Sequence, residues 1–275
     1  MGCNGSALAI REVRVNRMAI RTVLENYLAK FGKVVVAYSG GVDSSLLTFA
    51  ARRVLGRDRV MAMTGDSASV PSADREFVVV FCRKHDISHR FVTTYEQEDP
   101  NYQQNPENRC YFCKSELYQR LKTAAADVGY SIILDGTNTT DLKGHRPGYK
   151  ALEQSEIKAP FLDLQIDKAT VRSIAAAYGL EVAHKPQAAC LASRIPTGVP
   201  IDLQKLEQVD RAENYLKEIG LKNPRVRFHG KLARIELNEC EWEVLLREKV
   251  VIRNEFKKIG FEFITLDLKP YSREE

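Results

Sequence analysis

Lys33-Val34-Val35-Val36-Ala37-Tyr38-Ser39-Gly40-Gly41-Val42-Asp43-Ser44-Ser45 is the stretch that decides how this chain folds. Its first half is apolar without alternation, the pattern of a strand buried on both faces. Two glycines follow at once, and apolar residues then recur at helical spacing from about Asp43 to Val54. A strand that turns through glycine into a helix exposes backbone N–H groups and a helix N-terminus to an anion. A Cβ at Gly40 or Gly41 would hold a phosphate away. Ser39, Ser44 and Ser45 add hydroxyl donors, while Asp43 can cap the helix or help to hold Mg²⁺. No Gly-Lys-Ser/Thr follows, so the loop is not built to grip a γ-phosphate as a Walker A loop does.

The same rhythm continues on both sides. A helical pattern over about Asn16 to Lys30 precedes the strand. After it come a strand Val60 to Thr64, a helix Ala73 to His85 and a strand His89 to Thr93. A polar loop, Glu98 to Arg109, leads to a helix Lys114 to Val128, a strand Ser131 to Asp135, the turn-rich Gly136 to Gly148, and a helix Lys168 to Tyr178. Strands alternating with helices predict an α/β fold with a doubly wound parallel sheet. Pro196-Thr197-Gly198-Val199-Pro200 reads as a linker, which predicts a first domain over 1–197 and a smaller α+β domain over 198–275. In the latter the patterns give a helix Leu203 to Ile219, a strand pair around Val226 and Ala233, a helix Cys240 to Lys257 and a strand Phe261 to Leu268.

Composition bounds the function. The 275 residues are 44% hydrophobic and 28% charged, which is ordinary globular usage. No apolar run is long enough to span a membrane, so no membrane partner and a cytoplasmic location are expected. The net charge of +5 arises from 41 basic residues scattered among 36 acidic ones. That suits an anionic small molecule as well as RNA, while the absence of a basic tract counts against a nucleic-acid partner.

Six cysteines without secretory signals argue for metal, cluster or catalytic use of some of them. Cys110 and Cys113 form a CxxC, and Cys190 lies on another loop, Ala188 to Arg194. Two thiolates three residues apart, with a third from a distant loop, could hold an iron-containing cluster with one iron left open for an extra sulfide or a substrate. A redox dithiol, a zinc site missing its fourth ligand and inert buried thiols remain alternatives. Cys3, Cys82 and Cys240 read as core or incidental residues.

Ser39 to Ser45 resembles the SGGxDS signature of PP-loop ATP-pyrophosphatases, the adenine nucleotide alpha hydrolase-like fold. That resemblance implies a loop that binds the pyrophosphate of ATP and an adenine site at the end of the second strand, at Met63 and Ser67. Asp135-Gly136-Thr137-Asn138 repeats strand, glycine and polar residues on the same crevice, with Gly136 and Thr137 as further nucleotide contacts and Asp135 as a second carboxylate for Mg²⁺.

A closer resemblance rests on these motifs together with His145-Arg146-Pro147-Gly148, Ala189 to Arg194 and Val226-Arg227-Phe228-His229. The set is similar to the LarE family, the sulfur transferases of nickel-pincer nucleotide cofactor biosynthesis, over nearly the whole chain. It implies adenylation of a carboxylate of pyridinium-3,5-biscarboxylic acid mononucleotide, replacement of AMP by sulfur, and a second round to the bisthiocarboxylic product. Single-cysteine members surrender the sulfur of the residue matching Cys190. This sequence resembles instead the three-cysteine members, in which Cys110, Cys113 and Cys190 would hold a 4Fe-4S cluster charged by sulfide or a sulfur donor.

Arg225 and Arg227 share one strand face and could grip the substrate phosphate. Arg194 could stabilise charge at the activated carboxyl. Glu213 and Glu236 align with acidic positions of the family's metal or substrate site, and His145 reads as a loop hydrogen-bonding residue. The second domain is expected to mediate homo-oligomer formation. A tRNA-thiolating PP-loop enzyme and a non-catalytic ATP-binding redox sensor are the rival readings.

Overall fold

The computed structural model describes residues 19–142, 147–186 and 189–270. Cys3, Asn16, His145 and Arg146 lie outside the described residues. A helix over 19–28, α1, precedes β1 (Val34–Ala37) and α2 (Val42–Leu55). There follow β2 (Val60–Asp66), α3 (Ser72–Lys84), β3 (Ser88–Thr93), α4 (Pro100–Gln103) and α5 (Arg109–Ala126). Next are β4 (Ile132–Leu134), α6 (Pro147–Gln154), α7 (Pro160–Asp163) and α8 (Lys168–Ala177). The remainder forms α9 (Leu203–Glu218), β5 (Arg225–His229), β6 (Leu232–Glu236), α10 (Trp242–Arg247), α11 (Lys249–Ile259) and β7 (Phe263–Leu266).

All four residues of β1 are buried, which is why its sequence is apolar without alternation. It lies inside a four-stranded sheet of order β3-β2-β1-β4 and pairs in parallel with β2 (Val34 with Val60) and β4 (Val34 with Ile132). The α/β doubly wound expectation is met. The sheet reverses its winding between β1 and β4, so the loops after those two strands flank the switch point where such sheets bind ligands. On α2, Leu46, Leu47, Ala50 and Ala51 are fully buried in the core. Each leucine side chain contributes roughly 1.5–3 kcal/mol by leaving water.

The chain forms two compact units, each with its own core. The first takes the described residues up to Gly65, then Phe77–Thr94 and Lys114–Lys185. The second takes Asp66–Glu76, Tyr95–Cys113 and the described residues from Pro186 onward. The smaller unit therefore draws on segments far upstream of Pro196 as well as on 198–275. Within it β5 and β6 form an antiparallel hairpin and β7 joins β6 in parallel. Asp202 caps α9 by accepting from the Lys205 N–H at 2.8 Å.

Two elements depart from the periodicity. The helix expected from Lys114 begins at Arg109, so the CxxC sits in a helical first turn and not in a loop. The helix expected over Cys240 to Lys257 is interrupted at Glu248, which has φ −89° and ψ 9°.

Candidate active site

In the first unit the turn after β1 is set by close approach. Gly40 has φ +73°, and a Cβ there would meet Val78 Cγ1 at 2.8 Å. Ser44 folds its hydroxyl back into the loop, accepting from the Ser39 N–H at 3.2 Å and donating to the Gly41 carbonyl at 3.2 Å. Gly41 is the N-cap of α2 and supplies no side-chain cap, which leaves the helix N-terminus without a competing acceptor from that residue. Gly136 brings the loop after β4 onto the same helix start: a Cβ on it would lie 2.9 Å from the Ser44 nitrogen. Ser45 is fully buried and its hydroxyl has no protein partner, so it stands in the core side of α2.

The carboxylates of this unit are already engaged. Asp43 Oδ2 accepts from the Lys168 ammonium, and Oδ1 accepts from Asn138 Nδ2 at 3.0 Å. Burial pushes the Asp43 carboxyl above the ordinary aspartate value, against the pull of Lys168. Asp135 is buried and accepts from Lys114 Nζ at 3.0 Å, the Tyr118 hydroxyl at 2.9 Å, the Thr137 N–H at 2.8 Å and the Thr137 hydroxyl. Burial pushes this carboxyl up, but Lys114 and Thr137 more than offset that and hold it below the ordinary value. Asp43 thus carries one donor on each oxygen and Asp135 two on each. Lys185 Nζ donates to the Gly40 carbonyl at 3.1 Å and lies 3.6 Å from the centroid of the Phe77 ring. Met63, expected beside adenine, is fully buried, and its carbonyl accepts from the Tyr38 N–H at 2.8 Å.

The second unit gathers the sulfur residues and Ser67. Ser67 Oγ accepts from the Ser69 N–H at 3.2 Å, and its carbonyl accepts from Arg75 Nη2 at 2.6 Å. Asn105, fully buried at φ +52°, precedes α5. Its amide donates to the carbonyls of Ile195 (3.3 Å), Pro196 (2.8 Å) and Val199 (3.0 Å), and its Oδ1 accepts from Arg109. This ties the loop after Cys190 to the turn that starts the CxxC helix. Leu191 N–H donates to Ser69 O at 2.8 Å, and the Ser69 hydroxyl is 2.6 Å from that of buried Tyr102. Cys190 lies near enough to Arg109 and Cys110 for their charges to act on it; burial, the larger effect, pushes its thiol up. Burial also pushes the Tyr102 hydroxyl up, and nearby Cys113 and Cys190 add to the rise.

Cys110 and Cys190 are free thiols, as are Cys82, buried in the first core, and exposed Cys240, while Cys113 is half-buried in the second unit. Among the described residues no three His, Cys, Asp or Glu side chains are arranged to hold a metal ion. Cys110 and Cys113 lie one helical turn apart on α5, and Cys190 lies on a loop of the same unit.

Arg194 and Glu213 are partners in the second unit. Arg194 is 6% exposed and grips Glu213 with two bonds, 2.8 and 3.1 Å. Its Nη1 donates to the carbonyl oxygens of Ala189 (2.8 Å) and Cys190 (3.3 Å). Glu213 also accepts from the Val226 N–H at 3.0 Å. The pair ties the cysteine loop to α9 and β5. Arg227 donates to Glu236 at 2.9 Å and to the Ser193 carbonyl at 2.7 Å. Arg225 pairs with Glu236 and Arg227 with Arg234 across the hairpin, so three arginines and one glutamate share a sheet face.

Sequence reasoning missed Lys168, Lys185, Lys114 and Asn105. Each acts on a partner distant in sequence, and a lone lysine or asparagine carries no motif.

A family model for NAD synthase matches residues 15–126. An uncharacterized protein of Synechocystis sp. is 41% identical over 260 residues, 92% of this chain and 96% of its own. The pyridinium-3,5-bisthiocarboxylic acid mononucleotide synthase of Lactiplantibacillus plantarum is 31% identical over 236 residues, 86% of each chain. An uncharacterized protein of Methanocaldococcus jannaschii is 27% identical over 239 residues, 87% of this chain and 90% of its own.

Proposed function

The chain belongs to the family of the Lactiplantibacillus plantarum pyridinium-3,5-bisthiocarboxylic acid mononucleotide synthase, and from that premise we propose that it is an ATP-dependent sulfur transferase acting on pyridinium-3,5-biscarboxylic acid mononucleotide. The observation that carries this reading is a glycine turn into an uncapped helix N-terminus at the sheet's switch point, in a chain whose other unit groups three cysteines. A substrate carboxylate oxygen bonds to the α-phosphorus of MgATP as the α–β anhydride breaks. The N–H groups after Gly41 receive the departing pyrophosphate. A sulfur nucleophile then bonds to the acyl carbon as the bond to AMP breaks, and the second carboxylate follows.

The guanidinium face formed by Arg225, Arg227 and Arg234 supports binding of the mononucleotide phosphate, with Glu236 fixing the arginine orientations. Arg194 and Glu213 hold the Cys190 loop in place. Cys110, Cys113 and Cys190 would hold a 4Fe-4S cluster, which when bound supplies the transferable sulfide. Exposed Leu246, Val250, Val251 and Phe263 support assembly of copies through the second unit.

Two measurements test this. Incubation with ATP and the pyridinium diacid is expected to release pyrophosphate and AMP and to yield thiocarboxylate by mass spectrometry; a folded, cluster-loaded protein that releases neither excludes the activity. Anaerobic purification is expected to give about four irons with acid-labile sulfide, lost in Cys110→Ala, Cys113→Ala and Cys190→Ala. An iron-free protein that still transfers sulfur would leave Cys190 as the donor.

A further inference from the structure

Arg109 is a cation with almost nothing to balance it. It is the first residue of α5, where the positive end of the helix dipole disfavours it, and it is half-buried. Its Nη1 donates to Oδ1 of fully buried Asn105, a neutral acceptor. Its Nε–H is enclosed and donates to no protein group. Among the described residues no carboxylate pairs with it. Arginines drawn out of water are ordinarily paired, because an unpaired charge loses its hydration without return. The Asn105 grip fixes where this charge stands. The same side chain holds the carbonyls of Ile195, Pro196 and Val199, so Arg109 and the loop that follows Cys190 are bound to one buried asparagine.

Two arginines act on Cys190. Burial pushes its thiol up, and Arg109 pulls it back more strongly than Arg194 does. Arg194 is neutralised by Glu213 at 2.8 and 3.1 Å, which leaves it little charge to offer a ligand. Arg109 has no such partner. Its guanidinium carries several donors, and Asn105 occupies only Nη1. A positive charge that is anchored, half-buried and without a carboxylate beside a thiol is suited to receive an anion from outside the protein. We propose that Arg109 is an anion-binding residue at Cys190 and that the anion is hydrosulfide, a sulfur donor small enough for an enclosed N–H. The choice of hydrosulfide rests on the sulfur-transfer reading above; the anion site does not.

The full-length protein, reduced, freed of any bound iron and checked for folding by thermal melting, is alkylated with anionic iodoacetate and with neutral iodoacetamide. Mass spectrometry of the Cys190 peptide gives the two initial rates. Both reagents need the thiolate, so a change in thiol acidity cancels in their ratio and the attraction of an anion remains. In wild type the iodoacetate-to-iodoacetamide ratio at Cys190 is expected to exceed that of a neutral cysteine peptide. It is expected to fall about tenfold in Arg109→Gln and to recover in Arg109→Lys, with no change at exposed Cys240. A wild-type ratio no higher than the peptide's, or a ratio in folded Arg109→Gln within about twofold of wild type, overturns the site. Arg109→Met replaces Arg109→Gln if the latter does not fold. The ligand is tested by thiocarboxylate formation against sulfide concentration. The half-saturating sulfide concentration is expected to rise about tenfold in Arg109→Gln while that of ATP stays within about twofold. An unchanged sulfide requirement overturns hydrosulfide as the anion. If wild type forms no thiocarboxylate, the sulfur-transfer reading fails and takes hydrosulfide with it, while the alkylation ratio still decides the role of Arg109.

Discussion

Arg194 spends its donors inside the protein. Two go to Glu213, and Nη1 goes back to carbonyls of its own loop, including that of Cys190. With side-chain exposures of 6% and 3%, the pair has almost no water to fall back on. Removing one partner therefore strands a buried charge, at a cost of about 3–5 kcal/mol, whereas removing both with apolar side chains of similar size costs much less. Glu213→Ala is expected to lose that amount in urea unfolding, and Arg194→Met combined with Glu213→Leu to recover a large part of it. A loss under about 1 kcal/mol would put the pair in the class of exposed ion pairs and remove its positioning role. The residue alone could not announce this. An arginine four positions after a cysteine reads as a substrate contact, and its glutamate partner arrives only through the packing of α9.

At the scale of the element, the start of α5 matters most, because it decides whether the CxxC is a loop or a helical face. β1 and α2 were legible in sequence since their signals are local: an apolar run, two glycines, a helical stripe. The start of α5 was not. Pro106 to Arg109 is polar and carries no apolar stripe, and what fixes the turn is the Asn105 amide reaching carbonyls at Ile195, Pro196 and Val199. Asn105 also holds φ +52°, which asparagine and glycine adopt far more easily than alanine. Asn105→Ala is expected to lose both the amide and the backbone preference, Asn105→Gly only the amide. Each carbonyl left without a donor costs about 1–3 kcal/mol where water does not replace it. Hydrogen exchange should then speed up at Gly198 and Ile201, whose N–H groups donate to Asn105 and Gln103. Wild-type protection at both amides in Asn105→Gly would mean that the backbone bonds hold the loop without the side chain.

For the molecule as a whole, the prolines and glycine at 196–200 fall within the second compact unit, which also takes in 66–76 and 95–113. The core of the second unit includes Tyr102, Leu191, Ala192 and Ile195 along with Leu206, Val209, Val226 and Phe256. A chain beginning at residue 198 keeps the later residues and loses the earlier ones. It also retains Glu213, which is 2% exposed, without Arg194. A piece this short has little apolar burial to spare, and a stranded carboxylate consumes what there is. The fragment 198–275 is therefore expected to show no cooperative thermal transition by circular dichroism, with near-random-coil signal at low temperature. A cooperative melt with native-like ellipticity would establish that α9 to β7 folds alone. The sequence boundary at 197 would then describe the folding unit better than the division of contacts does. The cysteine positions make the failure of that fragment the more consistent outcome. Cys110, Cys113 and Cys190 all precede residue 198, yet all three belong to the unit that the fragment is asked to rebuild. The segment 95–113 that carries two of them supplies Tyr102 to its core.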